Sequence, residues 1–321
     1  MNGTKQYRLL EIFFRALRGE DISVSGLAAE YGVSSKSISR SIAEIKAFLA
    51  DRRELVGNTE LEYSYRDKCY RLEMDELLSS KELFALVEVM IGARAFSAEE
   101  LHVLINKLKG VTTPGDGKTL SELIRKELYH YTQVRHECES VQDNLWQLIN
   151  CINDRKEITI DYYRMDRSFV THRLIPASVM FSDYYFYLIA FSTSDLEKPL
   201  YFRIDRIKQI VTHRKREKAR NVSFDEGKLR RQSLYMWPGK LRNIRFEFAG
   251  PSVQAVLDKL PTARIIERMG NGRYLIGAET YGDGIKMWLL SQGSWVKVTA
   301  PEDFVEEMKR ELIKAYEQYD T

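Results

Sequence analysis

Leu27-Ala28-Ala29-Glu30-Tyr31-Gly32-Val33-Ser34-Ser35-Lys36-Ser37-Ile38-Ser39-Arg40-Ser41-Ile42-Ala43-Glu44-Ile45 reads as the end of one helix, a tight turn and the start of another. The first of the two begins near Ser23, turns Leu27, Ala28 and Tyr31 inward, and stops at Gly32, which suits the positive φ of a helix C-terminus. Ser34 or Ser35 caps the second. At about 100° per residue, Ile38, Ile42, Ile45 and Leu49 fall on one stripe; Lys36, Arg40, Ala43 and Ala47 lie roughly opposite, with Ser39 to one side. Helix, glycine-containing turn and helix is the helix-turn-helix pattern. Small residues, cations and hydroxyls on one helical face suit close approach to a DNA groove, with contacts to phosphates and base edges. An amphipathic surface helix with nothing bound would show the same periodicity.

The flanking sequence favours the DNA reading. Tyr7 to Leu17 forms an earlier helix with Leu9, Leu10, Phe13, Phe14 and Leu17 at helical spacing, stopped by Gly19. After the third helix, Leu61–Tyr65 and Cys69–Leu72 alternate with period two around Arg66-Asp67-Lys68, as in a β-hairpin. A hairpin in that place is a wing with two cations at its tip. The expected DNA contacts are therefore Ser34, Ser35, Lys36, Ser37, Ser39 and Arg40 on the helix and Arg66 and Lys68 on the wing.

Composition sets the outer limits. The chain has 321 residues and 37.5 kDa, enough for two to three domains, with 44% hydrophobic and 30% charged residues, as in soluble globular proteins. No apolar run approaches the roughly 18 residues needed to span a bilayer. Arg8, Glu11 and Arg15 interrupt any leader-like stretch near the start, so the chain reads as cytoplasmic, with no membrane partner. Cys69, Cys138 and Cys151 are too few and too widely spaced for a disulfide framework or a CxxC metal site. The net charge of +3 is unevenly spread: residues 75–154 carry −5, 155–218 carry +5 and 219–243 carry +4. The basic central block invites an anionic partner.

Residues 79–110 and 117–153 read as helical, with apolar faces at Leu83-Leu86-Val87-Met90-Ile91, Leu101-Leu104-Ile105-Leu108 and Leu145-Leu148-Ile149-Ile152. They connect domains and either pair with a second subunit or form a bundle within the chain. From Ile158 the pattern turns to strands, with Val170–Phe181, Tyr184–Phe191 and Leu200–Val211 following, which suggests a small antiparallel barrel. Residues 219–240 are basic and read as an irregular linker. Strands near 244–248, 263–269, 273–280 and 296–300 then alternate with helices near 251–260, 284–292 and 302–319, the last with Phe304, Met308, Leu312 and Ala315 inward.

Tyr162-Tyr163-Arg164, His172-Arg173-Leu174-Ile175-Pro176, Phe186-Tyr187-Leu188-Ile189-Ala190 and Phe202-Arg203-Ile204-Asp205-Arg206-Ile207 together resemble the WYL-domain transcriptional regulators of bacteria. The naming tripeptide Trp-Tyr-Leu stands here as Phe186-Tyr187-Leu188. Trp288-Leu289-Leu290 through Gly293-Ser294-Trp295-Val296-Lys297-Val298 and Pro301 resembles the C-terminal extension of that family. The resemblance implies a multidomain α+β chain. Its parts are a winged helix-turn-helix over 1–74, a helical connector over 75–154, a Sm/SH3-like barrel over 155–218, a linker over 219–240, and a ferredoxin-like α+β extension over 241–321. It implies that the barrel senses a nucleotide or single-stranded nucleic acid and alters DNA binding.

By position, the ligand candidates are Tyr162, Arg164, His172, Arg173, Tyr187, Arg203 and Arg206: guanidinium forks take phosphates and aromatic faces stack on bases. In an unbroken strand Arg203 and Arg206 point to opposite faces, so both serve one site only if the strand bends or ends near Asp205. Asp205 could instead pair with one of them. His172 could be a satisfied structural residue, and Tyr187 could pack in the core.

Other signals lead nowhere. Gly117-Lys118-Thr119 has the ending of a phosphate-binding loop, but its first glycine would be Thr112 and no strand precedes it. His130, His136 and Cys138 lack metal spacing and read as decorating a helix. There is no GxSxG elbow. Glu302, Asp303, Glu306 and Glu307 suit the positive end of a helix dipole. The sequence thus reads as a non-enzymatic, cofactor-free and metal-free regulator. It would bind a double-stranded operator as a homodimer, act as a repressor, and answer to an anionic nucleotide-type effector. The competing reading is an accessory module whose barrel holds single strands as its main activity.

Overall fold

The computed structural model describes residues 5–74, 78, 80–110, 114–215 and 225–319. The chain divides into two compact units, residues 1–134 and 135–321. Its class is mixed α+β with antiparallel sheets.

The first unit opens with α1 (Lys5–Leu17), α2 (Val24–Tyr31), α3 (Ser35–Asp51) and the single turn α4 (Arg53–Val56), followed by a hairpin of β1 (Thr59–Ser64) and β2 (Cys69–Met74). Local chemistry sets each boundary. The Ser23 side chain accepts from the Gly26 N–H, and Gly32, at φ 62°, ends α2 by donating to the carbonyls of Ala28 and Ala29. Between the two capping candidates, Ser34 is the cap: its side chain accepts from the Ser37 N–H, while Ser35 is the first helical residue. Ile38, Ile42, Ile45 and Leu49 are buried with Ile12, Ala16, Leu27 and Leu61, as the stripe on α3 requires. A backbone bridge from Ile22 to Tyr70 ties the start of α2 to the hairpin.

On α1 the expected inner face is corrected. Ile12 and Ala16 are buried, whereas Leu10, Phe14 and Leu17 are exposed. Apolar residues occupy more than half the circumference of α1, so spacing alone does not say which arc meets the core. The same unit then holds α5 (Ser80–Ala93), α6 (Ala98–Lys109) and α7 (Pro114–Tyr129). Leu83, Val87, Leu101, Ile105, Leu120 and Ile124 bury one another, so the three helices have a core of their own.

The expected helix over 117–153 is also corrected: it breaks between Tyr129 and Val141, and the second part is a separate helix, α8 (Val141–Asn153), capped by Ser140. His130, His136 and Cys138 lie in this non-helical stretch rather than on a helix. In the second unit α8 packs against an antiparallel sheet of β3 (Lys156–Tyr163), β4 (Phe169–Ser182), β5 (Tyr185–Ser192), β6 (Asp195–Arg203) and β7 (Ile207–Lys215). The sheet order is β6-β5-β4-β3-β7, with slips in register in β3 and at Pro176–Ser178 of β4. Leu148 and Cys151 of α8 share a core with Ile158, Ile160, Leu174, Leu188 and Phe202. The Asn144 side chain donates to the Ile204 and Ile207 carbonyls, which fixes α8 to the point where β6 ends.

Of the expected linker, 219–224 lie outside the described residues. The remainder is not irregular: α9 (Glu226–Gln232) begins under an Asp225 cap, and Leu229 and Met236 are buried against Met180 and Ile189 of the sheet. The last part is β8 (Leu241–Phe248), α10 (Val253–Lys259), β9 (Arg264–Met269), β10 (Arg273–Tyr281), α11 (Gly284–Ser291), β11 (Val296–Ala300) and α12 (Glu302–Glu317). Its sheet order is β11-β8-β10-β9, all antiparallel, with Phe246, Ile276, Trp288, Leu289 and Phe304 at the centre. Phe304 and Met308 of α12 are buried as expected, but Leu312 and Ala315 are exposed.

Candidate nucleic-acid interface and ligand cleft

The first candidate surface is the outer side of α3 with the hairpin. Lys36, Ser39 and Arg40 are exposed, as are Ser34 and Ser35, and neither Lys36 nor Arg40 has an ion pair among the described residues. Ser37 differs from expectation. It is half-buried, and its hydroxyl accepts from Arg8 of α1 at 3.1 Å while Arg8 also donates to buried Ser41. Ser37 thus docks α1 on α3 rather than standing free.

Arg66 and Lys68 are exposed in the hairpin turn, with Lys68 in the left-handed region at φ 53°. Asp67 between them does not cancel their charge, because its carboxylate accepts from the Ser64 hydroxyl and pairs with Arg71 at 3.1 Å. Arg71 in turn forks onto Asp21 at 2.6 and 3.0 Å. Tyr65, 88% exposed, stands beside the two cations and against the edge of Tyr63. Sequence reading passed over this tyrosine because alternation alone treats it as a strand residue.

The second candidate is a cleft of about 580 Å³ in the second unit, lined on the sheet side by Tyr162, Arg164, Met165, Asp166, Tyr187, Tyr201, Arg203 and Arg206. The question of Arg203 and Arg206 is answered by backbone geometry. β6 ends at Arg203, and Ile204–Arg206 form one 3₁₀ turn before β7, so both side chains reach the same cleft. Asp205 also pairs with one of them. It is 3% exposed and accepts from the Arg203 guanidinium at 3.0 and 2.6 Å. The Asp205 carbonyl accepts from the N–H groups of Glu137 and Cys138, each at 2.9 Å. The Arg203 guanidinium lies 3.3 Å over the Tyr185 ring, and its backbone N–H donates to the Tyr162 hydroxyl.

Arg203 is therefore held on three sides, whereas Arg164 and Arg206 have no ion pair among the described residues. Burial opposes the charge on Arg203, but its bonds to Asp205 hold the pKa above the ordinary value. Burial also raises the Tyr162 phenol and pushes Tyr187 up to about 12, so both are neutral hydrogen-bonding groups near pH 7.

Two expected ligand residues lie elsewhere. His172 sits against Phe202, its pKa lowered by burial and by the charge of Arg164, and does not line the cleft. Arg173, the next residue on β4, projects to the opposite face and pairs with buried Glu157 at 3.2 Å.

Four lining residues come from the supposed linker: Tyr235, Met236, Trp237 and Pro238 close the far side of the cleft. Their placement depends on glycine. Gly282 has φ 85°, and a Cβ there would lie 1.9 Å from the Trp237 carbonyl oxygen; a Cβ on Gly284 would lie as close to that of Leu234. Only bare backbone lets the 234–238 segment lie on the end of β10 and aim Trp237 at the cleft.

A five-stranded antiparallel sheet with a helix packed on it thus carries a cleft of arginines and aromatic rings at the end of its fourth strand. Residues 143–212 match the family model described as the WYL domain. The match includes most of α8, in accord with its packing on the sheet. No curated protein sequence matches the chain. Among solved structures, proteasome accessory factor B/C (PafBC) of Arthrobacter aurescens is similar at 15% identity and a TM-score of 0.31, over 100% of this chain and 50% of that one. The chain thus spans half the length of that relative. A CRISPR Cas-related protein is similar at 14% identity and a TM-score of 0.39, over 97% of this chain and 85% of the other. Among the described residues no helix is long and apolar enough to cross a membrane.

Proposed function

We propose that this protein is a ligand-responsive DNA-binding transcriptional regulator acting as a repressor. In this reading α1–α3 and the β1–β2 hairpin are a winged helix-turn-helix, the β3–β7 sheet is a Sm-like barrel, and β8–α12 is a ferredoxin-like extension. The reading rests above all on Lys36 and Arg40, two exposed cations without ion pairs among the described residues, on the outer face of a helix whose inner face is buried isoleucine. Two copies of such a helix, about 34–36 Å apart in a homodimer, would read two half-sites of a duplex operator. The effector is an anionic nucleotide or a short single strand, with phosphates on Arg164 and Arg206 and bases against Tyr187, Tyr235 and Trp237. It regulates only if it binds the DNA-competent and DNA-incompetent states with different affinity.

The cleft is tested with Arg164→Ala/Arg206→Ala. This change is expected to weaken binding of a 5′-phosphorylated oligothymidylate by roughly 10- to 100-fold, at about 1.5 to 3 kcal/mol for hydrogen bonds to charged groups, while duplex affinity without the oligonucleotide stays unchanged. If duplex binding is lost with the cleft instead, the protein is the accessory module. The wing is tested by salt: Arg66→Ala/Lys68→Ala should make the log–log slope of duplex affinity against salt shallower by about 2, since each phosphate contact contributes roughly −0.9. An unchanged slope would remove the wing from the interface.

A further inference from the structure

Ile244, Phe246 and Phe248 of β8 point into the core beneath α10–α12, so Asn243 and Arg245 point to the other face of the sheet. Register places Gly277 of β10 directly opposite Arg245 of β8 on one side and opposite Arg264 of β9 on the other. Directly opposed residues share a face, so two arginines flank a glycine in one row across three strands, their Cα atoms roughly 10 Å apart.

The pairing of β9 with β10 slips at this point and leaves Ile266 without a partner; a Cβ on Gly277 would lie 2.8 Å from Ile266 Cδ1. A groove of about 480 Å³ runs over the row, lined also by Asn243, Glu279 and Arg231 of α9. Arg231, Arg245 and Arg264 have no ion pair among the described residues. Of the acids on this face, Glu279 accepts from the side chain of buried Gln232, and Glu247 lies between Arg273 and Lys297.

We propose that the row Arg245–Gly277–Arg264, with Arg231 beside it, is a second anion site that takes the phosphate of a nucleotide or of a single-stranded oligonucleotide. Three guanidinium groups from three elements match the three or more oxygens of a phosphate better than the two of a carboxylate. With no side chain on Gly277, the Ile266 side chain lies over it between the two arginines, and its exposed part offers an apolar surface to the attached sugar or base. This site lies outside the Arg164–Arg206 cleft and does not depend on the reading given to that cleft.

The test is arginine modification of the full chain by phenylglyoxal, resolved by peptide mass spectrometry. The probes are inorganic phosphate, 5′-phosphorylated and unphosphorylated thymidylate tetramers, and hexaglutamate. Modification of Arg245 and Arg264 should slow about tenfold with a phosphate-bearing probe at ten times its Kd, as occupancy requires. Protection by the tetramers assigns the site to a nucleic-acid strand, and protection by inorganic phosphate alone assigns it to a small phosphate compound. In either case the protection should persist in Arg206→Ala, and the affinity for that probe should fall in Arg245→Ala/Arg264→Ala, Arg245 and Arg264 both being exposed. Equal modification rates with and without every phosphate probe, or protection by hexaglutamate alone, would overturn the proposal.

Discussion

Replacing Lys36 and Arg40 together by alanine is expected to lower duplex-DNA affinity by roughly 100- to 1000-fold with no change in thermal stability. A well-made contact to a base edge is worth about 1–3 kcal/mol and a phosphate contact somewhat less, and a factor of ten corresponds to about 1.4 kcal/mol. Two lost contacts per protomer, repeated in a dimer, reach that range even at the low end of each. Stability should not move, because both side chains are exposed and the fold of α3 is held by other groups: the Ser34 cap, the Arg8 bonds to Ser37 and Ser41, and the buried Ile38–Leu49 stripe. The measurement is fluorescence anisotropy on a duplex selected from a random pool by the unaltered protein, with a melting curve alongside. Affinity within threefold of the unaltered protein, a difference below about 0.7 kcal/mol, would rule out α3 as the reading helix.

The contrast between α3 and the cleft shows what a sequence can convey. The period and cap of α3, and the Gly32 stop just before it, are local signals, so spacing alone places Ile38, Ile42, Ile45 and Leu49 in the core, and they are there. On α1 the same logic fails at Leu10 and Phe14, because an apolar surplus leaves the buried arc to be chosen by tertiary packing. In the cleft, half the design was visible: the motif around Phe202–Ile207 announced Arg203 and Arg206, and the break at Asp205 that they need is present. The far wall was not visible. Tyr235 and Trp237 sit in a basic stretch without periodicity, and what brings them to the sheet is the absence of side chains at Gly282 and Gly284, more than 40 residues further on. The motif groups Arg173 with the ligand residues, but strand parity sends it to Glu157 on the other face.

Asp205→Ala is expected to destabilise the second unit by about 3 kcal/mol, the low end for breaking a buried ion pair. For a unit of that size this corresponds to a fall in Tm of roughly 6–12 °C. The side chains of Arg203 and Asp205 are only 16% and 4% exposed, so removing the carboxylate leaves a guanidinium with little water to replace two hydrogen bonds. Its remaining neighbour, the Tyr185 ring, supplies about 1–2 kcal/mol of cation–π attraction at best, which does not offset the loss. The damage should spread to the cleft, since the 3₁₀ turn that aims Arg206 hangs on Asp205 through both its side chain and its carbonyl. Arg203→Met/Asp205→Leu provides the decisive comparison. With both charges gone nothing is left buried and unpaired, so this double variant should melt above Asp205→Ala despite carrying one more substitution. A double variant as unstable as the single one would mean that Asp205 acts through shape rather than charge, and that Arg203 is not the group it exists to hold.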